Sequence, residues 1–323
     1  MSRLGYWRRI AASYLFSSRS QLTFWHETPE VNPKLRADAL GEYYMTFAQK
    51  ADYPGPFDPD GVPRLDYHGA IGVRYNPIAI AQYALANANR FARDGDPGRK
   101  EKLLRSARWL RDRLEPNAAG LKVWMHHFDW EYRSPLKAPW YSGLAQGQGI
   151  SALLRAHAAT GDATFLDAAR EAFRPLEKTA AEGGVLCRDA EGYTWIEEYL
   201  VDPPTHILNG FLWALWGVHD YALATGEPAA RELFRESVRT LRDRLAGYDA
   251  GFWSLYEHSG TRLRMLASPF YHRLHVVQLR VMHRLTGEAF FAETADRWEG
   301  YARSRWKRAR ATVQKAWFKI WNY

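Results

Sequence analysis

Apolar positions along the chain follow a helical period in four blocks of similar length. Each block begins with an apolar stretch rich in small residues, passes through a short turn, and ends with an amphipathic stretch whose apolar positions recur every three or four residues. The glycines of the turns lie 66, 65 and 61 positions apart, at Gly95, Gly161, Gly226 and Gly287. Such a repeat indicates one supersecondary unit used four times.

Each block predicts a helical hairpin. Its inner helix lacks a polar face and ends at a Gly in a left-handed cap, and its outer helix has one solvent-exposed polar face. Four hairpins predict a mainly α protein, an incomplete (α/α)4 toroid. Two segments between hairpins, "GGVLCRDAEGYTWIEEY" and "GYDAGFWSLYEHSGTRLRML", carry short alternating runs. These runs predict β-hairpins at the mouth of the cavity, where the inner helices begin.

The N-terminal part of the chain lies outside the repeat. Its stretch "ADYPGPFDPDGVPRLDYHGAIGVRYNP" is rich in Pro, Gly and Asp, which is typical of extended chain and turns. Too few of its apolar residues are in pattern to form a separate core. We therefore predict an extended segment, 1–70, packing on one catalytic toroid, 71–323.

The first turns of the inner helices are the predicted ligand-binding positions, because they face the cavity mouth. Tyr75, Tyr141, His206 and Tyr271 are spaced 66, 65 and 65 apart, so one ring of side chains could come from four repeats. Aromatic faces suit sugar rings, amides suit hydroxyls, and helix N-termini favour an anion. The predicted substrate-binding residues of these turns are Arg74, Tyr75, Tyr141, Gln146, Gln148, Asn209 and His272.

The net positive charge of the chain favours an anionic partner. The chain has 44 Lys and Arg against 36 Asp and Glu, a formal charge of +8, which raises the local concentration of polyanions. No nucleic-acid-binding motif is present, so we expect no nucleic acid and favour an acidic polysaccharide. The tail "RSRWKRARATVQKAWFKIWNY" fits either peripheral membrane contact or a terminal helix packing its aromatics on the body.

The start "MSRLGYWRRIAASYLFSSRS" is basic but lacks a long apolar run and a cleavage site, so we predict no signal peptide. We expect a cytoplasmic protein, extending to a peripheral position at the inner membrane face. The single cysteine, Cys187, excludes an internal disulfide and any multi-cysteine metal site. We predict no metal ligand set and no required cofactor, and leave a structural calcium ion and a homodimer open.

Motifs for nucleotide binding, zincins and α/β-hydrolases are absent from the sequence. The stretch "WIEEYLVDPP" instead places Glu197, Glu198 and Tyr199 just before the third inner helix. Successive side chains of an extended segment face opposite ways, so only one of the two glutamates shares the cavity face. We assign that position to Glu198 and expect Glu197 to be a surface acid.

Several stretches occur together in an order that resembles a known family. "PWYSGLAQGQGISALLRA", "EEY" followed by "LNGF", "SLYE" and "YHRLHVVQL" are similar to the C-terminal helical domain of D-glucuronyl C5-epimerases, the enzymes of heparan sulfate and heparin biosynthesis. "DPDGV" and "YNPIAIAQYAL" resemble stretches nearer that family's N-terminus. The resemblance implies an isomerase on an (α/α) toroid that interconverts D-glucuronate and L-iduronate in a heparosan-like glycan.

The resemblance also implies site residues: Tyr199 with Glu198, Tyr256 of the hairpin segment, and Tyr271. We expect Tyr199 and Tyr271 to be the opposed acid/base pair, with Glu198 and Tyr256 supporting substrate and intermediate. The sequence departs from the animal pattern because it has no room for the inserted β-barrel. The arginine that closely follows the hairpin tyrosine is also missing, and its nearest candidates for binding the substrate carboxylate are Arg262 and Arg264.

C5 inversion requires two groups on opposite sides of the sugar, and a tyrosine acts as base only where cations or hydrogen bonds favour its phenolate. Removal of the C5 hydrogen gives a carbanion. If the oxygen on C4 is protonated and leaves, this carbanion undergoes β-elimination instead of epimerisation, so a uronate polysaccharide lyase is an alternative. A non-catalytic protein that binds acidic glycan is another. Glycoside hydrolysis would need a second carboxyl group, and Glu198 has no evident partner.

Overall fold

The computed structural model describes residues 24–132, 134–261 and 263–322, with side chains through 318. These ranges contain nine α-helices: α1 Pro77–Asp94, α2 Pro97–Asp112, α3 Gly143–Thr160, α4 Ala163–Phe173, α5 Leu208–Thr225, α6 Pro228–Arg244, α7 Pro269–Thr286, α8 Ala289–Arg303 and α9 Arg305–Asn322. Helices α1 to α8 pair in order as four hairpins. The predicted mainly α fold, an incomplete toroid of helical hairpins, is confirmed.

Each inner helix ends at the glycine that the repeat singled out. Gly95, Gly161, Gly226 and Gly287 have φ of 65°, 72°, 72° and 74°, and each N–H donates to the carbonyl four residues earlier. Side chains with a Cβ rarely adopt this left-handed conformation, which explains why all four caps are glycine.

Small residues let inner helices α3 and α5 touch through their backbones. A Cβ on Gly147 would lie 2.5 Å from the Cα of Ala214, and one on Gly217 would lie 2.2 Å from the carbonyl oxygen of Gly147. The ring of Trp124 occupies the space beside Gly149, where an added Cβ would lie 2.3 Å from the ring. The many small residues of "GLAQGQG" are therefore explained by helix packing.

Residues 27–53, called here the bridging segment, join the first inner helix to the last. On α1, Asn89 accepts a hydrogen bond from the Tyr43 N–H at 2.6 Å and donates to the Met45 carbonyl at 2.9 Å. On α7, Arg284 donates to the carbonyls of Asn32 and Pro33 at 3.1 and 3.0 Å. The ring of inner helices is thus closed by extended chain.

A buried ion pair ties the bridging segment to the middle of the ring. Arg155 of α3 contacts Asp220 of α5 at 2.6 Å, and both side chains are buried. The Tyr44 hydroxyl donates to the other oxygen of Asp220 at 2.7 Å. Three separate parts of the chain share this one carboxylate.

The strands are short and lie between hairpins: β1 Leu65–Asp66, β2 Val73–Arg74, β3 Glu115–Pro116, β4 Lys122–Val123, β5 Leu186–Arg188 and β6 Thr194–Ile196. They form three antiparallel pairs, β1 with β2, β3 with β4, and β5 with β6. The last pair is the first β-hairpin predicted from the sequence, with Cys187 opposite Trp195. No helix in the described ranges has the length and apolarity needed to cross a membrane.

The second predicted β-hairpin forms only isolated bridges, Asp249 with Ser254 and Leu255 with Leu266. Its backbone groups are diverted to other partners: Ser254 N–H donates to the His272 ring, and the Tyr256 carbonyl accepts from α5. A regular ladder cannot form where these groups are already used.

Candidate active site

A cavity of about 140 Å³ opens where the four inner helices begin. Asn76, Leu144, Asn209 and Tyr271 each come from the start of a different inner helix. The partial positive charges of four helix N-termini therefore converge on this space. The remaining lining residues are Trp25, His26, Tyr67, Ile78, Phe128, Trp130, Trp140, Glu198, Tyr199 and Trp213.

Glu198 is the acidic residue of the cavity wall, and its side chain is buried. Burial raises the pKa of Glu198 to about 8, although hydrogen bonds from Tyr199 and Asn209 act in the opposite direction. Asn209 Nδ2 lies 3.4 Å from Glu198 Oε2. Burial therefore favours the protonated carboxyl, the form that donates a hydrogen bond.

Space for the Glu198 carboxyl comes from Gly210 in the first turn of α5. A Cβ at position 210 would lie 2.2 Å from Glu198 Oε2. The motif "EEY" followed by "LNGF" is thus one packing unit: the glutamate, the asparagine that contacts it, and the glycine that makes room for it.

Tyr199 and Tyr271 approach the cavity from different elements. Tyr199 follows β6 and packs against Tyr132 and Trp140, at ring-centroid distances of 4.8 and 5.7 Å. Burial, with Glu198 and Tyr271 nearby, raises the pKa of Tyr199 well above that of a free tyrosine. The cavity lining drawn from the described ranges contains no Lys or Arg.

Tyr256 lies beside Tyr271 and is not among the cavity-lining residues. The two rings meet edge to face with centroids 4.9 Å apart. Burial raises the pKa of Tyr256, with a further contribution from Glu198. Its position is that of a support for Tyr271.

The predicted role of Gln146 and Gln148 at the sugar rim is contradicted by their burial. Gln146 accepts from the Trp124 N–H at 3.0 Å and donates to the Ala172 carbonyl at 2.8 Å. Gln148 accepts from Gln82 of α1 at 3.0 Å. Both side-chain amides point from α3 toward neighbouring elements of the ring and form hydrogen bonds with them.

Tyr141, Arg74 and Tyr75 also lie away from the cavity lining. The Tyr141 hydroxyl donates to the Gly183 carbonyl at 2.9 Å. Arg74 is exposed, and the exposed Tyr75 donates to Asp58 at 2.8 Å and packs on an α2 side chain. Of the four repeat positions, Tyr271 lines the cavity, and contact of the other three with substrate stays a prediction.

His272 is fully buried and does not line the cavity, which contradicts its predicted contact with substrate. Nδ1 accepts from the Ser254 N–H at 3.1 Å, Nε2 lies 2.9 Å from the Trp298 carbonyl, and burial lowers the pKa to about 4. Arg264 is exposed and is not a lining residue. Arg262 lies outside the described residues.

Glu197 is buried, which corrects the expectation of a surface acid. Its carboxylate accepts from the backbone N–H of His206 at 3.1 Å and pairs with His206 Nδ1 at 2.5 Å. The His206 ring stacks on Trp195, with centroids 4.4 Å apart. The Glu197–His206 pair therefore joins the segment after β6 to the segment before α5, while the neighbouring Glu198 faces the cavity.

Cys187, Glu197 and His206 form the one His/Cys/acid cluster of metal-binding size within the described ranges, with their ligand atoms within 4.8 Å of one another. The 2.5 Å separation between His206 and Glu197 is a hydrogen-bond distance, whereas two ligands of one tetrahedral zinc ion lie about 3.3 Å apart or more. Calcium requires six to eight oxygen ligands. As arranged, the cluster suits a hydrogen-bonded pair, and a structural calcium ion stays a prediction.

Sequence reasoning missed Asn76, Trp213 and His26 at the cavity. Asn76 caps α1, accepts from the Ile78 N–H and donates to the Tyr67 hydroxyl. An Asn-Pro pair at a helix start was a usable signal for it, and Trp213 lies one helical turn after Asn209. His26 gave no signal because the chain reaches the cavity there only through its tertiary fold. Burial and Lys50 lower the pKa of His26 to about 4.

Comparisons with known proteins place these features in a family context. Residues 120–300 match the model of the D-glucuronyl C5-epimerase C-terminus. A D-glucuronyl C5-epimerase of Caenorhabditis elegans is 33% identical over 53% of this chain, and the match spans 30% of the worm protein. An uncharacterised protein of Methanocaldococcus jannaschii is 27% identical over 76% of this chain and 85% of its own.

Among solved structures, cellobiose 2-epimerase of Spirochaeta thermophila has a TM-score of 0.53 at 13% identity, covering 92% of this chain and 84% of its own. At that identity the likeness concerns the fold alone. The family match spans more than half of the chain and includes Glu198, Tyr199, Asn209 and Tyr271. The chain therefore belongs to the D-glucuronyl C5-epimerase C-terminal family.

Proposed function

We propose that the protein is a carbohydrate epimerase that inverts C5 of glucuronate residues in a heparosan-like acidic glycan. The observation that carries the proposal is the meeting of Glu198, Tyr199 and Tyr271 in one cavity at four helix N-termini. An anionic sugar is favoured there by the helix dipoles, and the aromatic walls suit the faces of its rings.

In the proposed reaction one tyrosine removes the C5 hydrogen as a proton, and the electron pair moves into the carboxylate to give an enolate. The second tyrosine then returns a proton to C5 on the other face of the ring. Tyr199 and Tyr271 are assigned to these two roles because they line the cavity from separate elements. The helix N-termini are the feature that favours the phenolate of whichever tyrosine acts as base.

Glu198 is assigned to the intermediate. Its carboxyl is protonated below about pH 8 and donates a hydrogen bond to the developing enolate oxygen. Asn209 positions this carboxyl, and Tyr256 holds the ring of Tyr271. Among the described residues, this carboxyl is the donor of the cavity wall that we assign to the substrate carboxylate, and Arg262 stays a predicted second one.

Incubation with unsulfated and N-sulfated heparosan in deuterated water, followed by proton NMR of the polymer, tests the proposal. We expect deuterium at C5 together with iduronate signals. Tyr199→Phe and Tyr271→Phe should each lower the exchange by at least about a hundredfold, the usual contribution of a general acid or base. Tyr193→Phe, on a half-buried tyrosine away from the cavity, is the matched control and should retain the activity.

Other outcomes would contradict the proposal in distinguishable ways. An unsaturated uronate that absorbs ultraviolet light would identify a lyase. Saturable binding of the polymer without deuterium uptake would favour the binding protein. Near-normal turnover by both phenylalanine variants would remove the tyrosines from the mechanism.

A further inference from the structure

The C-terminal helix α9 carries large apolar side chains that face outward. Trp306, Val313 and Trp317 are 87%, 68% and 54% exposed. At 3.6 residues per turn these three positions lie within about 40° of one another around the helix. They share one side of the helix, called here the outer stripe, on which Arg310 lies between Trp306 and Val313 and the two tryptophans are about 16 Å apart along the axis.

Positive charge surrounds the outer stripe. The sequence of α9 contains six Lys and Arg and no Asp or Glu. Arg305 and Arg308 are exposed, and neither forms an ion pair with any residue of the described ranges. The helix thus combines apolar anchors with uncompensated cationic side chains.

The opposite side of α9 is fixed to the body of the protein. Ala311 and Phe318 are buried, and Lys315 Nζ donates to the Leu266 carbonyl at 2.7 Å. Because this side is anchored, the outer stripe is held facing away from the body.

We propose that α9 binds an anionic lipid surface, with the outer stripe inserted among the headgroups. Two tryptophans flanking a β-branched residue form an apolar face of the kind that interfacial helices bury. Each cation near an anionic surface adds to the attraction. A charged glycan would match the arginines but would leave the exposed Val313 in contact with water.

Sedimentation of the full-length protein with vesicles tests this proposal. We expect binding to phosphatidylcholine vesicles that contain about 30 mol% phosphatidylglycerol, weakening with salt as surface charge is screened. Trp306→Ala combined with Trp317→Ala should lower the partition coefficient at least about tenfold. Arg305→Glu combined with Arg308→Glu should lower it to a similar extent.

Arg231→Glu combined with Arg242→Glu on α6 is the matched control, because it makes the same charge change at exposed positions of another basic helix. Equal loss in this control would show general electrostatic attraction and overturn the proposal. Lack of vesicle binding by the unchanged protein would overturn it too. Self-association, or heparosan binding, that the tryptophan variant abolishes while vesicle binding persists would assign the stripe to a second copy or to a glycan.

Discussion

Glu197 and Glu198 are neighbours in the sequence with different surroundings. Glu198 faces an aromatic cavity in which burial raises the pKa of its carboxyl, whereas Glu197 accepts hydrogen bonds from His206. Successive side chains of an extended segment point to opposite faces, which explains why these two glutamates have different neighbours. The residue pattern does not reveal that both are buried, because the partner of Glu197 is His206, nine residues away and with a left-handed φ of +46°.

Replacing Glu198 by Gln should change how stability depends on pH. The raised pKa means that the folded protein binds a proton that the unfolded chain has lost above about pH 4.5. The contribution of Glu198 to stability should therefore fall as the pH rises toward 8, by roughly 1.4 kcal/mol per pH unit at most, and level off beyond it. Glu198→Gln should remove this slope.

Urea unfolding of both proteins between pH 5 and about pH 9 measures the difference. Glu171→Gln, at a half-buried position of the outer helix α4, serves as the control and should keep the slope of the unchanged protein. Parallel curves for the unchanged protein and Glu198→Gln would mean that Glu198 titrates as a solvated acid.

The prediction that residues in the first turns of the inner helices line the cavity is correct for some residues and fails for others. The reason is geometric. Asn209 and Tyr271 lie in first turns and line the cavity, but so do residues that turn away from it. Successive helical positions are about 100° apart, so Gln146 points to the outer layer and Gln148 to α1. The sequence repeat alone does not give the rotation of each helix.

At the level of elements, the contact between α3 and α5 depends on glycine. Gly217→Ala would place a Cβ 2.2 Å from the Gly147 carbonyl oxygen, a backbone atom that cannot move alone. We expect destabilisation of about 1–3 kcal/mol, as for other overpacked cores. Denaturant unfolding measures it.

Gly300→Ala is the matched control on α8, where an added Cβ meets nothing within 4 Å. This substitution should be neutral or stabilising by up to about 1 kcal/mol, since alanine is the better helix former. Equal effects of the two substitutions would show that the helices do not touch at Gly217.

Elements with a local signal were predictable. The left-handed glycine caps, the Asp96 and Asp162 caps of the outer helices and the hairpin of β5 and β6 all follow from nearby residues. The second β-hairpin was not, because its backbone groups bond to His272 and α5, which are distant in sequence or in another element.

For the whole molecule, the bridging segment determines how the ring closes. Arg284 binds the carbonyls of Asn32 and Pro33 from the last inner helix, while Asn89 binds the same segment from the first. Turn-forming composition predicted extended chain in the N-terminal part. It gave no indication of which helices that chain would join.

Arg284→Ala should loosen the bridging segment. Loss of both hydrogen bonds should lower its local stability by about 1–3 kcal/mol, seen as faster amide exchange in residues 27–37. Arg280→Ala on the same helix removes only the pairs with Asp296 and Glu299, and should leave this exchange unchanged. Unchanged exchange in Arg284→Ala would mean that other contacts hold the segment.

Closure of the ring by the bridging segment also sets an order of events during synthesis on the ribosome. The bridging segment is made well before its partners, because Arg284 follows Asn32 by 252 residues and Asp220 follows Tyr44 by 176 residues. Tyr43 and Tyr44 are buried in the folded protein, where both pack on Trp216 of α5. Until α5 and α7 have been made, the nascent chain therefore exposes apolar side chains of this segment, the state in which newly made proteins most need chaperones.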